Sequence, residues 1–203
     1  PEELQTRVRS LIRLKRLTDE LESAEALFVT LGRTIEARDP YTEGHCERLA
    51  HYALALGNAL NLPQTALDTL HHGAFLHDIG KIAVPDRILL KKTRLSADEY
   101  ALMKRHPVTG DDLCSTLRSL DAVRPIVRHH HEQWSGLGYP DGLKGDQIPI
   151  TARIIAVVDC FDSVREDRPF RRGMTRDEAI ALLLRGSGTH FDPEIIELFI
   201  KHL

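Results

Sequence analysis

The sequence predicts an all-helical domain with a long N-terminal helix, and three observations predict it. Apolar residues recur at steps of three and four over much of the chain, the period of a helix with one buried face. Helix start signals punctuate these stretches: Ser96 with Glu99 and Thr175 with Glu178 have capping-box spacing, and Asp192-Pro193 joins a capping carboxylate to a residue suited to the first helical position. No stretch alternates apolar and polar residues convincingly at the period of a strand.

Residues 3–38 read as one helix. Leu4, Val8 and Leu11 begin a seam that Leu14, Leu17, Leu21, Ala24, Phe28, Leu31 and Ile35 continue in heptad steps, after a stammer at positions 11, 14 and 17. Residues 1–38 are therefore expected to form a stalk, dimeric at its N-terminal end and joined to the globular part at its other end. A helix lying on its own domain is the alternative. Asp39-Pro40 marks the next start, and a helix through His45, Leu49, Tyr52, Ala53 and Leu56 is expected to run to Leu60. Pro63 opens a helix that ends at Gly80, a residue suited to a left-handed C-terminal turn. A further helix follows Ser96. Residues 132–148, rich in Gly, Pro and Asp, form a long loop. Residues 149–164 are again apolar-periodic and carry Asp159 and Asp162, which share a helix face at i and i+3. Helices from Thr175 and Asp192 complete one globular domain over 39–203.

At 203 residues the chain can bury one substantial core, and 42% hydrophobic with 28% charged residues is the balance of a soluble globular protein. A formal net charge of −3 gives no electrostatic footprint for nucleic acid. Arg7, Arg9, Arg13, Lys15 and Arg16 read as a solvated helix face. There is no apolar run of membrane-spanning length and no signal-peptide core, so no membrane association is expected. Cys46, Cys114 and Cys160 are odd in number and none pair at CxxC spacing. That argues against a disulfide framework and for a reducing, cytoplasmic location, with Cys46 and Cys160 as packing residues. The chain begins at Pro1 without a methionine, and upstream domains are expected.

The chemistry lies in His45, His77, Asp78, His106, His130, His131 and Asp159. Imidazoles and carboxylates together suit divalent iron, manganese, zinc, nickel or cobalt. One buried histidine is ordinarily a satisfied core residue, but several at helix ends, each followed by loop-forming residues, are harder to explain that way. Adjacent helical side chains point about 100° apart, so His130 and His131 reach one ion only from a helix end or from two sides of a cleft. Asp78 has two oxygens and can bridge two ions, with His77 capping one of them.

These residues resemble a known family. His77-Asp78-Ile79-Gly80-Lys81 is similar to the HD signature with its trailing Gly-Lys. His130-His131-Glu132, followed by Gly136-Leu137-Gly138-Tyr139-Pro140, resembles the second signature of the HD-GYP phosphodiesterases. The likeness extends through Asp39-Pro40-Tyr41-Thr42, Ile148-Pro149, Ala152-Arg153-Ile154, Asp159-Cys160-Phe161-Asp162, Asp167-Arg168-Pro169-Phe170-Arg171 and Phe191-Asp192-Pro193, over residues 34–200. It implies an HD-superfamily helical fold and hydrolysis of cyclic di-GMP to pGpG, with GMP the alternative end product. It also implies two divalent ions, Fe or Mn foremost and Ni, Zn or Co as alternatives. His45, His77, Asp78 and Asp159 would hold one ion, and Asp78, His106, His130 and His131 the other. Some relatives add a third ion through a glutamate where this chain has Tyr41, so two are expected; Glu43 is turned away. Asp78 fixes the spacing of two ions that generate hydroxide from water at neutral pH and offset charge on the phosphoryl oxygens. Lys81 is the expected aid to the phosphate or leaving oxygen. Arg168 and Arg171 match substrate-phosphate positions, Asp162 is an orienting residue or substrate contact, and Tyr139 either touches substrate or packs its loop.

The chain departs from the family pattern at Ser135, at Lys91-Lys92-Thr93-Arg94 and at Ser163-Val164-Arg165-Glu166. No expected ligand is lost, but loop order and the shape of the guanine site are affected. A catalytically weak or inactive module that senses the dinucleotide or docks a diguanylate cyclase is the second reading. Another HD-superfamily nucleotide phosphohydrolase is the third. The stretch Arg7-Val8-Arg9-Ser10-Leu11 resembles the linker after a receiver domain, which implies a phosphorylation-controlled dimer.

Overall fold

A computed structural model describes residues 2–38, 44–167 and 172–203, with the side chains of the first helix described at 7, at 10–16 and from 25 onward. The described residues form helices with no strand; the sole extended pairing among them is an isolated bridge between Ser187 and Phe191. The first helix, α1, is Glu2–Glu36. It is followed by α2 (His45–Ala59), α3 (Gln64–Leu76), a 3₁₀ turn (Ile79–Ala83), α4 (Asp86–Leu89), α5 (Ala97–Met103), α6 (His106–Cys114) and α7 (Arg124–His129). Last come α8 (Ile150–Arg165), α9 (Arg176–Gly186) and α10 (Pro193–His202). None of these helices is long and apolar enough to cross a membrane.

The core is built by α2, α3, α7, α8, α9 and α10. Leu49, Ala53 and Leu56 of α2 meet Leu70 and Ala74 of α3, Ile154, Ile155 and Val158 of α8, and Ile195 and Ile196 of α10. Tyr52, Phe161 and Phe199 pack edge-to-face around one point, with centroids 5.0–5.7 Å apart, a geometry that places each ring's positive edge on a negative face. A second cluster joins Phe28 and Ile35 of α1 to Leu76, Ile79, Val123 and Val127. The expected heptad seam of α1 thus divides. Phe28 and Ile35 are buried, whereas Leu14 and Leu31 are 61% and 45% exposed. Gly32 lets α1 lie directly on α3, since a Cβ there would come within 2.5 Å of the Phe75 carbonyl oxygen.

The start signals at Ser96, Thr175 and Asp192 hold, whereas α2 begins only at His45, after a left-handed Gly44. Ser96 Oγ accepts from the Glu99 amide and Glu99 accepts from the Ser96 amide. Thr175 and Glu178 repeat the reciprocal pair, and Asp192 caps α10 ahead of Pro193. The expected end at Gly80 does not. Helix α3 stops at Leu76, and Gly80 lies in the 3₁₀ turn, outside the left-handed region. Glycine is required there because a Cβ would sit 1.9 Å from the His106 carbonyl oxygen. The bare backbone brings the Asp78 turn against the start of α6. The helix after Ser96 is short, and a second one restarts at His106-Pro107. Asp39-Pro40-Tyr41-Thr42, Glu43 and the segment Arg168-Pro169-Phe170-Arg171 lie outside the described residues.

Candidate metal centre

Four helix ends and one helix middle converge beneath a cleft. His45 opens α2, His77 and Asp78 follow α3, His106 opens α6, His130 and His131 follow α7, and Asp159 stands within α8. Adjacent His130 and His131 can face one point because the helix stops at His129. Ligand atoms of Asp78, His106, His130 and His131 lie within 4.8 Å of one another, and so do those of His45, His77 and Asp159.

The ring orientations are fixed from behind. His77 Nδ1 donates to the Ala74 carbonyl at 3.0 Å, His106 Nδ1 to Met103 at 2.8 Å, and His130 Nδ1 to Val127 at 3.0 Å. His45 Nδ1 donates to Asp162 Oδ2 at 2.7 Å. With the proton on Nδ1, the neutral form of each ring leaves its Nε2 lone pair for a cation. Those atoms meet carboxylates and each other: His45 Nε2 is 3.3 Å from Asp159 Oδ1, and His106 Nε2 is 3.3 Å from His130 Nε2. Asp78 divides its oxygens between the two groups. Its Oδ1 is 3.1 Å from His106 Nε2 and 3.8 Å from His130 Nε2, while its Oδ2 is 3.3 Å from His77 Nε2 and ion-paired with Lys81.

The residues present fit a pair of divalent cations. His77 Nε2 and Asp78 Oδ1 are buried with no hydrogen bond of proper geometry, and such orphaned polar atoms are costly unless something charged meets them. The donor set of imidazoles and carboxylates suits intermediate divalent metals. The charge states agree. Burial would raise Asp78, but the charge of Lys81 and His77, with His106 and His130 beside it, holds it well below the usual carboxylate range. Asp159 is likewise held low against burial by His45. Burial, reinforced by repulsion from neighbouring imidazoles, holds His130 low and His131 well below its ordinary value, so both are neutral donors. His45 differs: burial would lower it, but Asp159 and Asp162 together push it up to about 10.

Above the centre lies a cleft of about 520 Å³, lined by Lys81, Tyr100, His131, Tyr139, Asp159 and Phe191 among others. Tyr139 stacks on His131 at 4.9 Å and 26°. Of the two roles expected for Asp162, the geometry supports orienting. Its side chain is 3% exposed, and its oxygens serve His45 and, at 2.7 Å, Arg48 Nε. Arg168 and Arg171 lie outside the described residues.

Sequence reasoning gave no role to Arg48 or Glu132. Arg48 stands three residues after His45, on the same helix face, a spacing that could have flagged it. The buried Glu132 carboxylate accepts from the amides of Asp141, Gly142 and Leu143 at 2.7, 3.1 and 3.2 Å. A run of amides turning after Tyr139-Pro140 needs such an acceptor. His129, Glu132 and Asp141 also gather closely, but Glu132 is committed to those amides and Asp141 to Arg128 at 2.7 and 2.9 Å.

The sequence profile of the HD domain family matches residues 30–195. The chain is 41% identical over 173 residues to the cyclic di-GMP phosphodiesterase response regulator RpfG of Xanthomonas campestris pv. campestris, covering 84% of this chain and 46% of that protein. It is 35% identical over 188 residues to the 3'3'-cGAMP-specific phosphodiesterase 2 of Vibrio cholerae, covering 92% of this chain and 36% of that protein. The chain therefore spans less than half the length of these curated relatives. In fold it is similar to Bd1817, an HDG"Y"P protein from Bdellovibrio bacteriovorus, with a TM-score of 0.64 at 24% identity over 77% of this chain and 50% of that one. The chain belongs to the HD domain family, and its His130-His131-Glu132 and Gly138-Tyr139-Pro140 blocks place it in the HD-GYP branch.

Proposed function

We propose that this chain is the catalytic domain of a metal-dependent phosphodiesterase that hydrolyses cyclic di-GMP to pGpG, with GMP the alternative end product. The observation that carries the reading is the convergence of the two ligand groups on Asp78, each oxygen of which faces one group. His45, His77, Asp78 and Asp159 would hold one ion, and Asp78, His106, His130 and His131 the other, with Fe or Mn the working metals. Bound there, two divalent cations supply positive charge for the phosphoryl oxygens and acidify water at neutral pH.

The chain's own residues do the rest. The carbonyl-pinned imidazoles cannot turn away, so the centre is preorganised and little reorganisation accompanies reaction. Asp78 sets the separation of the two groups. The Lys81 ammonium, paired with Asp78 at the cleft floor, is placed to meet a phosphate oxygen or the departing ribose oxygen. Tyr139, stacked on His131, walls the cleft where substrate enters.

The test is turnover of cyclic di-GMP, 3'3'-cGAMP and nucleoside triphosphates by purified protein loaded anaerobically with Fe(II) or Mn(II), with products separated by chromatography. Conversion of cyclic di-GMP to pGpG is expected, and Lys81→Ala should lower turnover at least tenfold with metal content intact. Binding of cyclic di-GMP without turnover under either metal would replace the enzyme with the sensing module, and turnover of triphosphates alone would reassign the substrate class.

A further inference from the structure

One wall of the cleft is charged in a way that the hydrolytic chemistry does not use. Leu89, Leu95, Tyr100, Met103 and His106 all line the cleft, so the segment from the end of α4 through α5 to the start of α6 forms that wall. Residues 89–105 hold five cations, Lys91, Lys92, Arg94, Lys104 and Arg105, against two carboxylates, Asp98 and Glu99, in a chain whose formal net charge is −3. Lys91 is paired with Glu99. Lys104 lies over the Tyr100 and Tyr139 rings, 5.2 and 5.7 Å from their centroids, neighbours that hold an ammonium without neutralising it. Lys92, Arg94 and Arg105 are exposed and meet no carboxylate among the described residues.

Exposed cations are ordinarily just solvated; place and sign set these apart. Lys92 is three residues from both Leu89 and Leu95, Arg94 adjoins Leu95, and Arg105 adjoins His106. A chain spans at most about 3.6 Å per residue, so each of these backbones lies within about 11 Å of a residue that lines the cleft. The Debye length is about 30 Å at 0.01 M ionic strength and about 3 Å at 1 M. In dilute salt their field therefore reaches the cleft without any of these side chains touching what binds there. Resting on the phosphodiesterase reading, we infer that this wall is an electrostatic guide: Lys92, Arg94 and Arg105 draw in the dianion of a cyclic dinucleotide and speed its capture, whichever bases it carries. A cleft walled by one sign of charge focuses field lines and raises association rates by about 10- to 1000-fold. The guide takes no part in bond breaking.

The experiment measures kcat and kcat/KM for cyclic di-GMP in the metal-loaded protein, and by stopped flow the association rate of a fluorescent cyclic di-GMP analogue, at about 0.01 M and about 1 M ionic strength. Lys92→Gln with Arg94→Gln removes two charges, and Lys92→Glu with Arg94→Glu reverses them. In dilute salt the Gln pair should lower kcat/KM and the association rate about threefold and the Glu pair about tenfold, with kcat unchanged. At the higher salt both pairs should return to within about twofold of wild type, because screening removes the field. Arg13→Glu with Arg16→Glu makes the same change in net charge as the Glu pair, on α1 at least twelve residues, about 18 Å along the helix axis, outside Phe28. It should leave the association rate unaltered. An unchanged association rate in the Glu pair at low salt overturns the inference. So does a loss that persists at high salt, which would make Lys92 or Arg94 a direct phosphate contact, and so does an equal loss in the α1 pair, which would reduce the effect to net charge. If wild type cleaves no cyclic dinucleotide, the phosphodiesterase reading itself falls, and the association rate still decides whether the wall guides the dianion.

Discussion

Asp162 acts through its neighbour. Its Oδ2 accepts a hydrogen bond from His45 Nδ1 at 2.7 Å, and Arg48 grips both of its oxygens at 2.7 and 2.9 Å while also holding Glu166. A carboxylate behind a metal-binding imidazole fixes the tautomer and raises its basicity, and loss of such partners costs ten- to a hundredfold in metal affinity. The same carboxylate, with Asp159, keeps His45 protonated to about pH 10 when only protein groups act. A histidine with a raised folded-state pKa contributes stability that is fully present below the unfolded value near 6.5 and is lost as pH rises through about 10. Metal binding requires the neutral ring, so loading at pH 7.5 should expel a proton from His45. Calorimetry in two buffers of different ionisation enthalpy should detect that proton. Asp162→Asn should weaken metal affinity at least tenfold and release less of it. If Asn at 162 leaves both affinity and proton release unaltered, the orienting role is wrong.

At the scale of elements, the loop 132–148 and the 3₁₀ turn decide the site's shape, and they divide what the sequence made legible from what it concealed. Helix starts were legible because a cap is local chemistry: Ser96 with Glu99 and Thr175 with Glu178 need nothing beyond their own turn. The candidate ligands were legible by type and by the HD and HHE blocks. The reason for Gly80 was not, because it depends on how closely α6 approaches. Nor was the role of Glu132, whose three amide donors lie nine to eleven positions away. Replacing Glu132 with Gln keeps the shape but turns an amide donor toward backbone donors. That leaves one or more buried N–H groups unpaired, at about 1–3 kcal/mol each. Expected consequences are a melting temperature lower by about 2–10 °C and freer acrylamide quenching of Trp134, the chain's single tryptophan, which this loop carries. KM for the dinucleotide should rise more than kcat falls, with both metals retained. Wild-type quenching and KM in that variant would show that the carboxylate does not hold the loop.

Across the whole molecule, α1 is tied to both ligand-bearing segments. Glu36 accepts from the His45 backbone amide at 2.6 Å, and Arg33 pairs with Glu47 of α2. Arg38, just past the helix, donates to the carbonyls of Lys81 and Val84 at 2.8 and 2.9 Å and to Asp86 at 2.7 Å. The turn that carries Lys81 is thus gripped from the C-terminal end of α1 through short polar contacts and through Phe28 and Ile35. Farther out, Leu11, Ile12 and Leu14 are 64%, 52% and 61% exposed. A row of large apolar side chains on a projecting helix is the surface a second copy of that helix would cover. The proposed stalk therefore predicts a homodimer held by the outer half of α1. Sedimentation equilibrium should show monomer and dimer exchanging with concentration. Leu11→Glu with Leu14→Glu should shift the balance to monomer without lowering the melting temperature of the helical domain, because neither side chain enters its core. A wild-type chain that stays monomeric from micromolar to several hundred micromolar concentration would remove the stalk, and α1 would then be a strut that stiffens the Lys81 turn within one subunit.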